Sequence, residues 1–284
     1  MSIKKILIVT LGGMGDILNT TPIARHYKAG DDLIHVDFLT KNKYGFLLNN
    51  NPDVDRVIST SPEFNSWNNE VATKYFKDQL SFDEYSEVIF AAPYMSPLYD
   101  KTERSTLLDM IKDESSGITD WACDFKPYVF PNEEEINQAD SFISETNGDF
   151  KILIEYEYFS QQSFMNIDSI IQLCKQFNNK KYDLIFSGKN KPDYLDTLKC
   201  KYDSNIYYYG LSFLSNAKLY NSIDLFIGCS SGLTCLTASD FCDHSIERLE
   251  LVRGLHWSTE PWSHLKNRKT FYSNKHFFSF LKKY

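Results

Sequence analysis

Two turns hold most of the chemistry that this sequence spells out. The first, Gly12-Gly13-Met14-Gly15-Asp16, follows the apolar run Ile6 to Leu11 and leads into Ile17, Leu18, Pro22, Ile23 and Tyr27. Spacings of three to four place one apolar face along a helix, so Asp16 stands at a helix start just beyond a strand's carboxyl end. A carboxylate there can cap the helix by accepting orphan backbone N–H groups. Lined by Gly12, Gly13 and Gly15 at the mouth of a cleft, it can equally take a proton as a general base. The second turn, Ser230-Ser231-Gly232, lies between the apolar stretches Leu225 to Ile227 and Leu233 to Phe241. Exposed N–H groups and the positive end of a helix dipole at such a turn favour an anion, a diphosphate for example. Serine is also a preferred cap, so both readings stand. Lys189 follows the Ser187-Gly188 turn at a further strand end, where it could face the same cleft and pair with phosphate, or simply lie at the surface.

Other candidates are weaker. The glycine turn lacks G-x-G-x-x-G spacing, and the acid about 20 residues on that a dinucleotide fold would use for a ribose, Asp37, falls mid-strand with Thr40-Lys41 at the tip. Asp53-Val54-Asp55 has the Asp-x-Asp form of some metal-dependent sugar transferases, but Asn51-Pro52 before it and Val57-Ile58 after it explain it as a turn that starts a strand. The six histidines, His26, His35, His244, His256, His264 and His276, show no metal-ligand spacing, and no P-loop, nucleophile elbow or triad arrangement is visible. No metal and no resident cofactor is expected.

The elements that must position these residues alternate. Strands are expected at Ile6–Leu11, Leu33–Leu39, around Val57-Ile58 and at Glu87–Ala91, with helices after the glycine turn and over Tyr44–Asn50. The continuous apolar runs fit strands buried on both faces of a parallel sheet. After the turn-rich stretch Thr146-Asn147-Gly148-Asp149 the pattern restarts, with strands at Lys151–Glu155, Tyr182–Phe186, Ile206–Tyr209 and Leu225–Ile227 and helices near Ile167–Phe177, Leu214–Ser222 and Leu233–Phe241. Two alternations of this kind predict two Rossmann-like domains, 1–147 and 148–284, with ligands at the carboxyl ends of the strands in a cleft between them.

Composition narrows the class. The 284 residues carry 42% hydrophobic and 24% charged side chains with a mean hydropathy of -0.38, as a soluble globular chain does. No apolar run is long enough for a membrane span or a signal-peptide core, which predicts a cytoplasmic protein. A net charge of -8 argues against a nucleic-acid partner. Cys123, Cys174, Cys200, Cys229, Cys235 and Cys242 form no C-x-x-C pair and read as free thiols. From Pro261 to Tyr284 the chain has six Lys or Arg and no acid, interleaved with aromatic residues. Such a tail could touch an anionic inner-membrane face, or dock its rings on the protein body with its cations in water.

The run Ile6-Leu7-Ile8-Val9-Thr10-Leu11-Gly12-Gly13-Met14-Gly15-Asp16-Ile17-Leu18-Asn19-Thr20-Thr21-Pro22 resembles the amino-terminal signature of the ADP-heptose:lipopolysaccharide heptosyltransferases, glycosyltransferase family 9. Val36-Asp37-Phe38-Leu39, Asn51 to Ile58, Gly210-Leu211 through Leu219, Ser222 to Gly228 and Ser230 to Thr234 resemble its later segments. The resemblance implies a GT-B fold in class α/β, Asp16 as catalytic base, a nucleotide-sugar donor held by the second domain, a glycan or glycolipid acceptor, and metal-independent inverting transfer with heptose among the candidate sugars. Two departures fall on the donor side: Ser230-Ser231-Gly232 with Cys235 where the family has Asp-Thr/Ser-Gly and a His, and Glu155 to Ser163 in place of a small-residue turn with a following Lys. A nucleotide-sugar epimerase of the same architecture and a non-catalytic nucleotide-sugar or glycan-binding protein are the alternatives.

Overall fold

The computed structural model describes residues 3–30, 33–61, 82–91, 118, 121–157, 162–254 and 264–284. It divides into two compact units, Met1–Phe130 and Pro131–Tyr284. The sequence places this division at the turn formers around 147. The helix that lies between the two positions, Glu133–Ser144, instead belongs to the second unit. Its Asp140 pairs with Lys218 at 3.2 Å, its Glu135 accepts from Ser212 Oγ at 2.6 Å, and Phe142 packs edge-on against Tyr207 and Tyr209. Tertiary packing outweighs the turn-rich composition downstream.

In the first unit, β1 (Lys4–Thr10) pairs with β2 (Ile34–Thr40) and β4 (Glu87–Phe90), and β2 pairs with β3 (Arg56–Ser59), all parallel, in the order β3-β2-β1-β4. Ile6 to Val9 are fully buried, as a strand covered on both faces requires. Helix α1 (Met14–Gly30) follows the glycine turn and buries Ile17 to Ala24 and Tyr27. Pro22 sits inside it, where a proline ring lacks the N–H that would reach Leu18. The Thr21 hydroxyl donates to that Leu18 carbonyl at 2.7 Å, and Thr20 donates to Ile17 at 2.8 Å, so the helix runs on through the break. Where the sequence reads a helix over Tyr44–Asn50, Asn42–Leu48 forms a 3₁₀ helix.

The second unit repeats the plan at larger size. Its helices are α2 (Glu133–Ser144), α3 (Ile167–Gln176), α4 (Tyr194–Lys201), α5 (Ser215–Tyr220), α6 (Gly232–Leu236) and α7 (Asn274–Leu281). Strands β5 (Phe150–Glu155), β6 (Tyr182–Ser187), β7 (Asn205–Tyr209), β8 (Leu225–Gly228), β9 (Glu247–Leu251) and β10 (Arg268–Phe271) form a parallel sheet in the order β10-β9-β8-β5-β6-β7. Both sheets reverse strand order beside their first strand, between β1 and β4 and between β5 and β8. In open α/β sheets the crevice at the carboxyl ends of those two strands is where ligands bind.

The C-terminal tail docks on its own unit, as far as the described residues go; Pro261 and Trp262 lie outside them. The Ser273 hydroxyl caps α7, which buries Phe277 and Leu281 in the core with Phe271, Phe278, Phe280 and Tyr284 packed against it. Lys269 stands 4.0 Å from the Phe280 ring centre and Lys283 pairs with Glu247 at 2.8 Å. Among the described residues no helix is long and apolar enough to cross a membrane.

Candidate functional sites at the two strand-order reversals

Asp16 lies in the first turn of α1, two residues after Met14 opens the helix, and its Oδ2 accepts the backbone N–H of Gly13 at 2.7 Å. The capping role is therefore real and engages one oxygen. Gly12 is required by that geometry, because a Cβ there would fall 2.2 Å from the same Oδ2. Burial raises the Asp16 pKa to about 6, with the Gly13 hydrogen bond and the positive charge of Lys41 pulling the other way. A half-buried carboxylate with a pKa just below neutrality is mostly ionised at pH 7 yet binds a proton far better than a surface aspartate, which is what a general base needs. Capping engages Oδ2 alone, so the same side chain keeps the capacity to accept a proton.

Lys41, which the sequence gives only as a strand tip, is 3% exposed at the end of β2. Its pKa is pushed down to about 8, first by burial and then by the charge of Lys43, with Asp16 pulling the other way. Its signal in the sequence is only that a lysine ends an apolar strand. Asp53 and Asp55, the Asp-x-Asp candidates, are engaged by α1: Arg25 pairs with Asp53 at 2.7 Å and Lys28 with Asp55 at 2.6 Å. Asp37, mid-strand as expected, accepts from Tyr85 at 2.6 Å and from Arg56, and both Arg56 and Tyr85 hold it in the ionised form against burial. Among the described residues no group of three or more His, Cys, Asp or Glu could hold a metal ion.

In the second unit the turn after β8 is already occupied by an anion of the protein itself. Glu155, 1% exposed and the last residue of β5, reaches across the reversal point to β8 and α6. Its Oε2 accepts the Cys229 N–H at 2.7 Å and the Thr234 hydroxyl at 2.5 Å, while Oε1 accepts the Ser231 hydroxyl at 2.5 Å and the Thr234 N–H at 3.2 Å. Ser230 holds a left-handed backbone with φ 58°, a conformation side chains rarely adopt, and its N–H donates to Thr234 Oγ1 at 3.0 Å. Among the described residues no acceptor meets the N–H groups of Ser231, Gly232 or Leu233.

Lys189 is exposed at the end of β6. Its backbone N–H donates to Glu157 Oε2 at 2.6 Å, which ties the turn after β6 to the segment after β5. The sequence-derived donor residues Lys189, Ser230, Ser231 and Gly232 thus share the carboxyl end of one sheet, but with two glutamates among them. Tyr158 to Gln161 of that segment lie outside the described residues. Beneath the turn, Arg248 is fully buried between Thr234, whose carbonyl accepts from it at 3.0 Å, and Glu250 at 3.4 Å. A separate groove of about 810 Å³ between α2 and the end of β7, lined by Glu133, Asn137, Phe142, Tyr208 and Leu211, contains none of the candidate catalytic or donor-binding residues.

Fold and reversal-point geometry together define an α/β protein of the GT-B type, two parallel-sheet units each reading strand 3-2-1-4 from its edge. Among solved structures the chain is similar to the glycosyl transferase family 9 from Veillonella parvula DSM 2008, with 15% identity over 95% of this chain and 87% of that one and a TM-score of 0.66. It is similar also to the E. coli ADP-heptose lps heptosyltransferase II, with 14% identity, 94% and 90% coverage and a TM-score of 0.64. A third is the E. coli heptosyltransferase WaaC with ADP-2-deoxy-2-fluoro heptose, at 14% identity, 94% and 92% coverage and a TM-score of 0.58. At these identities the likeness establishes the fold. No protein-family model matches the chain, and no curated protein matches it by sequence.

Proposed function

We propose that this chain is an inverting, metal-independent glycosyltransferase that moves a sugar, with heptose first among the candidates, from a nucleotide-diphosphate donor to a bacterial surface glycan or its lipid-linked precursor. The observation that carries the reading is Asp16: a carboxylate at a strand-order reversal, oriented by one backbone bond and tuned to about 6. In a single displacement the acceptor hydroxyl attacks the anomeric carbon and gives its proton to Asp16. The bond to the donor's diphosphate breaks, the diphosphate leaves with the electron pair, and the anomeric configuration inverts. The fold is shared with proteins whose structures contain ADP and ADP-2-deoxy-2-fluoro heptose, which makes an ADP-sugar the first donor to try.

On the donor side the reading assigns the diphosphate to the N–H groups of Ser231 and Gly232, with the Lys189 side chain offsetting charge. Glu155 keeps the turn in shape by holding its neighbours Cys229 and Thr234. Metal independence is supported by the engagement of Asp53 and Asp55 with Arg25 and Lys28. With Phe277 buried and Phe271, Phe278 and Phe280 packed partly against the core, the described part of the C-terminal tail would offer an anionic membrane surface mainly the electrostatic pull of its cations, with Tyr272 exposed beside them.

A second reading, a nucleotide-sugar or glycan-binding module without turnover, is favoured by one observation, the placement of Glu155 and Glu157 beside the donor turn. One experiment separates them. The protein is screened with ADP-, UDP- and GDP-sugars for thermal stabilisation, and each stabilising donor is incubated with lipopolysaccharide-core and lipid-linked glycan acceptors, with and without EDTA, under mass spectrometry. The proposal expects acceptor gaining one sugar at the same rate, within about twofold, in EDTA. Stabilisation without any product supports the binding module, and consumption of donor without acceptor supports an epimerase.

A further inference from the structure

We propose that Gln162 is a positioning residue for the turn after β8: its side-chain amide fixes the peptide between Ser230 and Ser231, so that the Ser231 N–H is presented to the donor. The inference rests on that turn holding the donor. Gln162 is 3% exposed, and its Nε2 donates to the Ser230 carbonyl at 3.1 Å. The main-chain carbonyl of Gln162 accepts the Arg253 N–H at 2.8 Å, and Arg253 Nε donates to the Ser163 carbonyl at 2.7 Å. The amide is thus anchored to the segment after β9, independently of the turn that it holds.

In a trans peptide the C=O and the N–H of the next residue point in opposite directions. A Ser230 carbonyl drawn to Gln162 therefore turns the Ser231 N–H away from Gln162. The other side of Ser230 is fixed by its left-handed φ of 58° and by its N–H bond to Thr234 Oγ1 at 3.0 Å. The Ser231 hydroxyl is spent on Glu155 Oε1 at 2.5 Å, so the N–H is the donor that Ser231 keeps for a ligand. The far end of the same amide also points to a ligand. A carbonyl only accepts, so Nε2 must be the atom that faces Ser230, and Oε1 is left buried with no donor among the described residues. A glutamine spent on the fold alone would have both ends answered. The unanswered end suits an O–H donor, which the ribose or the sugar of a nucleotide-sugar supplies.

The test is a titration with ADP, UDP and GDP followed by ¹⁵N NMR, the tightest of the three being carried from the wild-type protein to two variants. Gln162→Met keeps the length of the side chain without its N–H, and Gln162→Glu keeps an acceptor and sets it against the Ser230 carbonyl. In wild type the Ser231 amide is expected to shift as the nucleotide is added. In both variants the dissociation constant is expected to rise about tenfold, as when one hydrogen bond is lost. Before any nucleotide is added, the Ser231 amide signal of the variants is expected to be displaced, while those of Cys229 and Thr234, which Glu155 holds, stay in place. A merely structural role would move all three. Equal affinity in the three proteins, or Cys229 and Thr234 moving with Ser231, overturns the inference and leaves the donor reading standing. Nucleotides that shift no amide of the turn in wild type, an arm that needs no variant, overturn the donor reading and the inference with it.

Discussion

Both units place a carboxylate at the same point of the same topology, where strand order reverses, and use it in opposite ways. In the first unit Asp16 has one backbone hydrogen bond, at Gly13, and a pKa lifted to about 6. In the second, Glu155 is 1% exposed and takes four hydrogen bonds, from Cys229, Ser231 and Thr234. A carboxylate whose lone pairs are all engaged by the protein is a structural tie; one held by a single oxygen retains capacity for a substrate proton. The contrast shows why the reversal point alone does not identify chemistry. The number of bonds already made there separates a carboxylate spent on holding the fold from one that, on the proposed function, acts on a ligand.

The largest expected effect that would break this comparison is on Glu155. Replacing it by Ala strips acceptors from two N–H groups and two hydroxyls, for an expected loss of about 3–5 kcal/mol, since each buried donor left unsatisfied costs about 1–3 kcal/mol. Urea unfolding measures the loss, and hydrogen exchange at Cys229 and Thr234 locates it in the second unit. A loss under about 1 kcal/mol would mean that Glu155 is not the tie described. Next in size is Gly12→Ala. The added methyl group must displace the Asp16 carboxyl, and a shift near 1 Å at a catalytic group costs about 10²-fold in rate. The acceptor assay reads that loss, while thermal unfolding of the same variant is expected to change little.

The smallest effect is a pH dependence of stability. The folded pKa of Asp16 lies above its value in an unfolded chain, so the folded state binds this proton more tightly. Keeping Asp16 ionised therefore costs stability above pH 6, and the cost disappears as pH falls through 6 toward 4. Asp16→Asn, which can still accept the Gly13 N–H, is expected to be more stable than wild type by about 1 kcal/mol at pH 8, after allowance for partial exposure, and equal to it near pH 4. Paired urea titrations across that range check the sign. A variant less stable than wild type at pH 8 would show that Asp16 serves the fold rather than the chemistry.

Much of the first unit was legible in the sequence because its signals are local. An unbroken apolar run, a glycine turn and a three-to-four periodicity are read in one pass from Ile6 to Tyr27, and strand, turn and helix stand where that pattern puts them. The start of helix α2 is set just as locally, by a capping box between Asn132 and Glu135. Strands β9 and β10 were not foreseen. Glu247-Arg248-Leu249-Glu250-Leu251 alternates like a half-exposed strand or a surface helix, whereas Arg248 and Glu250 are buried partners beneath the donor turn. A buried ion pair two residues apart on one strand reads as an ordinary polar face.

The expected helix Leu233–Phe241 stops at Leu236 for a related reason, as Thr237 and Ser239 turn the chain through local bonds. Of the candidate site, the residue types and their place at the strand ends were legible, because glycine and serine turns after apolar runs are local signals. What the sequence does not encode locally is the reach of Glu155 from one strand to another. That contact joins residues more than seventy positions apart and is set only when β5 and β8 become neighbours.

The measurement that decides most directly is turnover and unfolding free energy of Asp16→Asn and Glu155→Gln, side by side at pH 7.5. Asp16→Asn is expected to lose about 10²- to 10⁴-fold in rate while keeping or gaining stability, and Glu155→Gln to lose about 1–3 kcal/mol of stability. Asp16→Asn turning over within about threefold of wild type would contradict the assignment of the base.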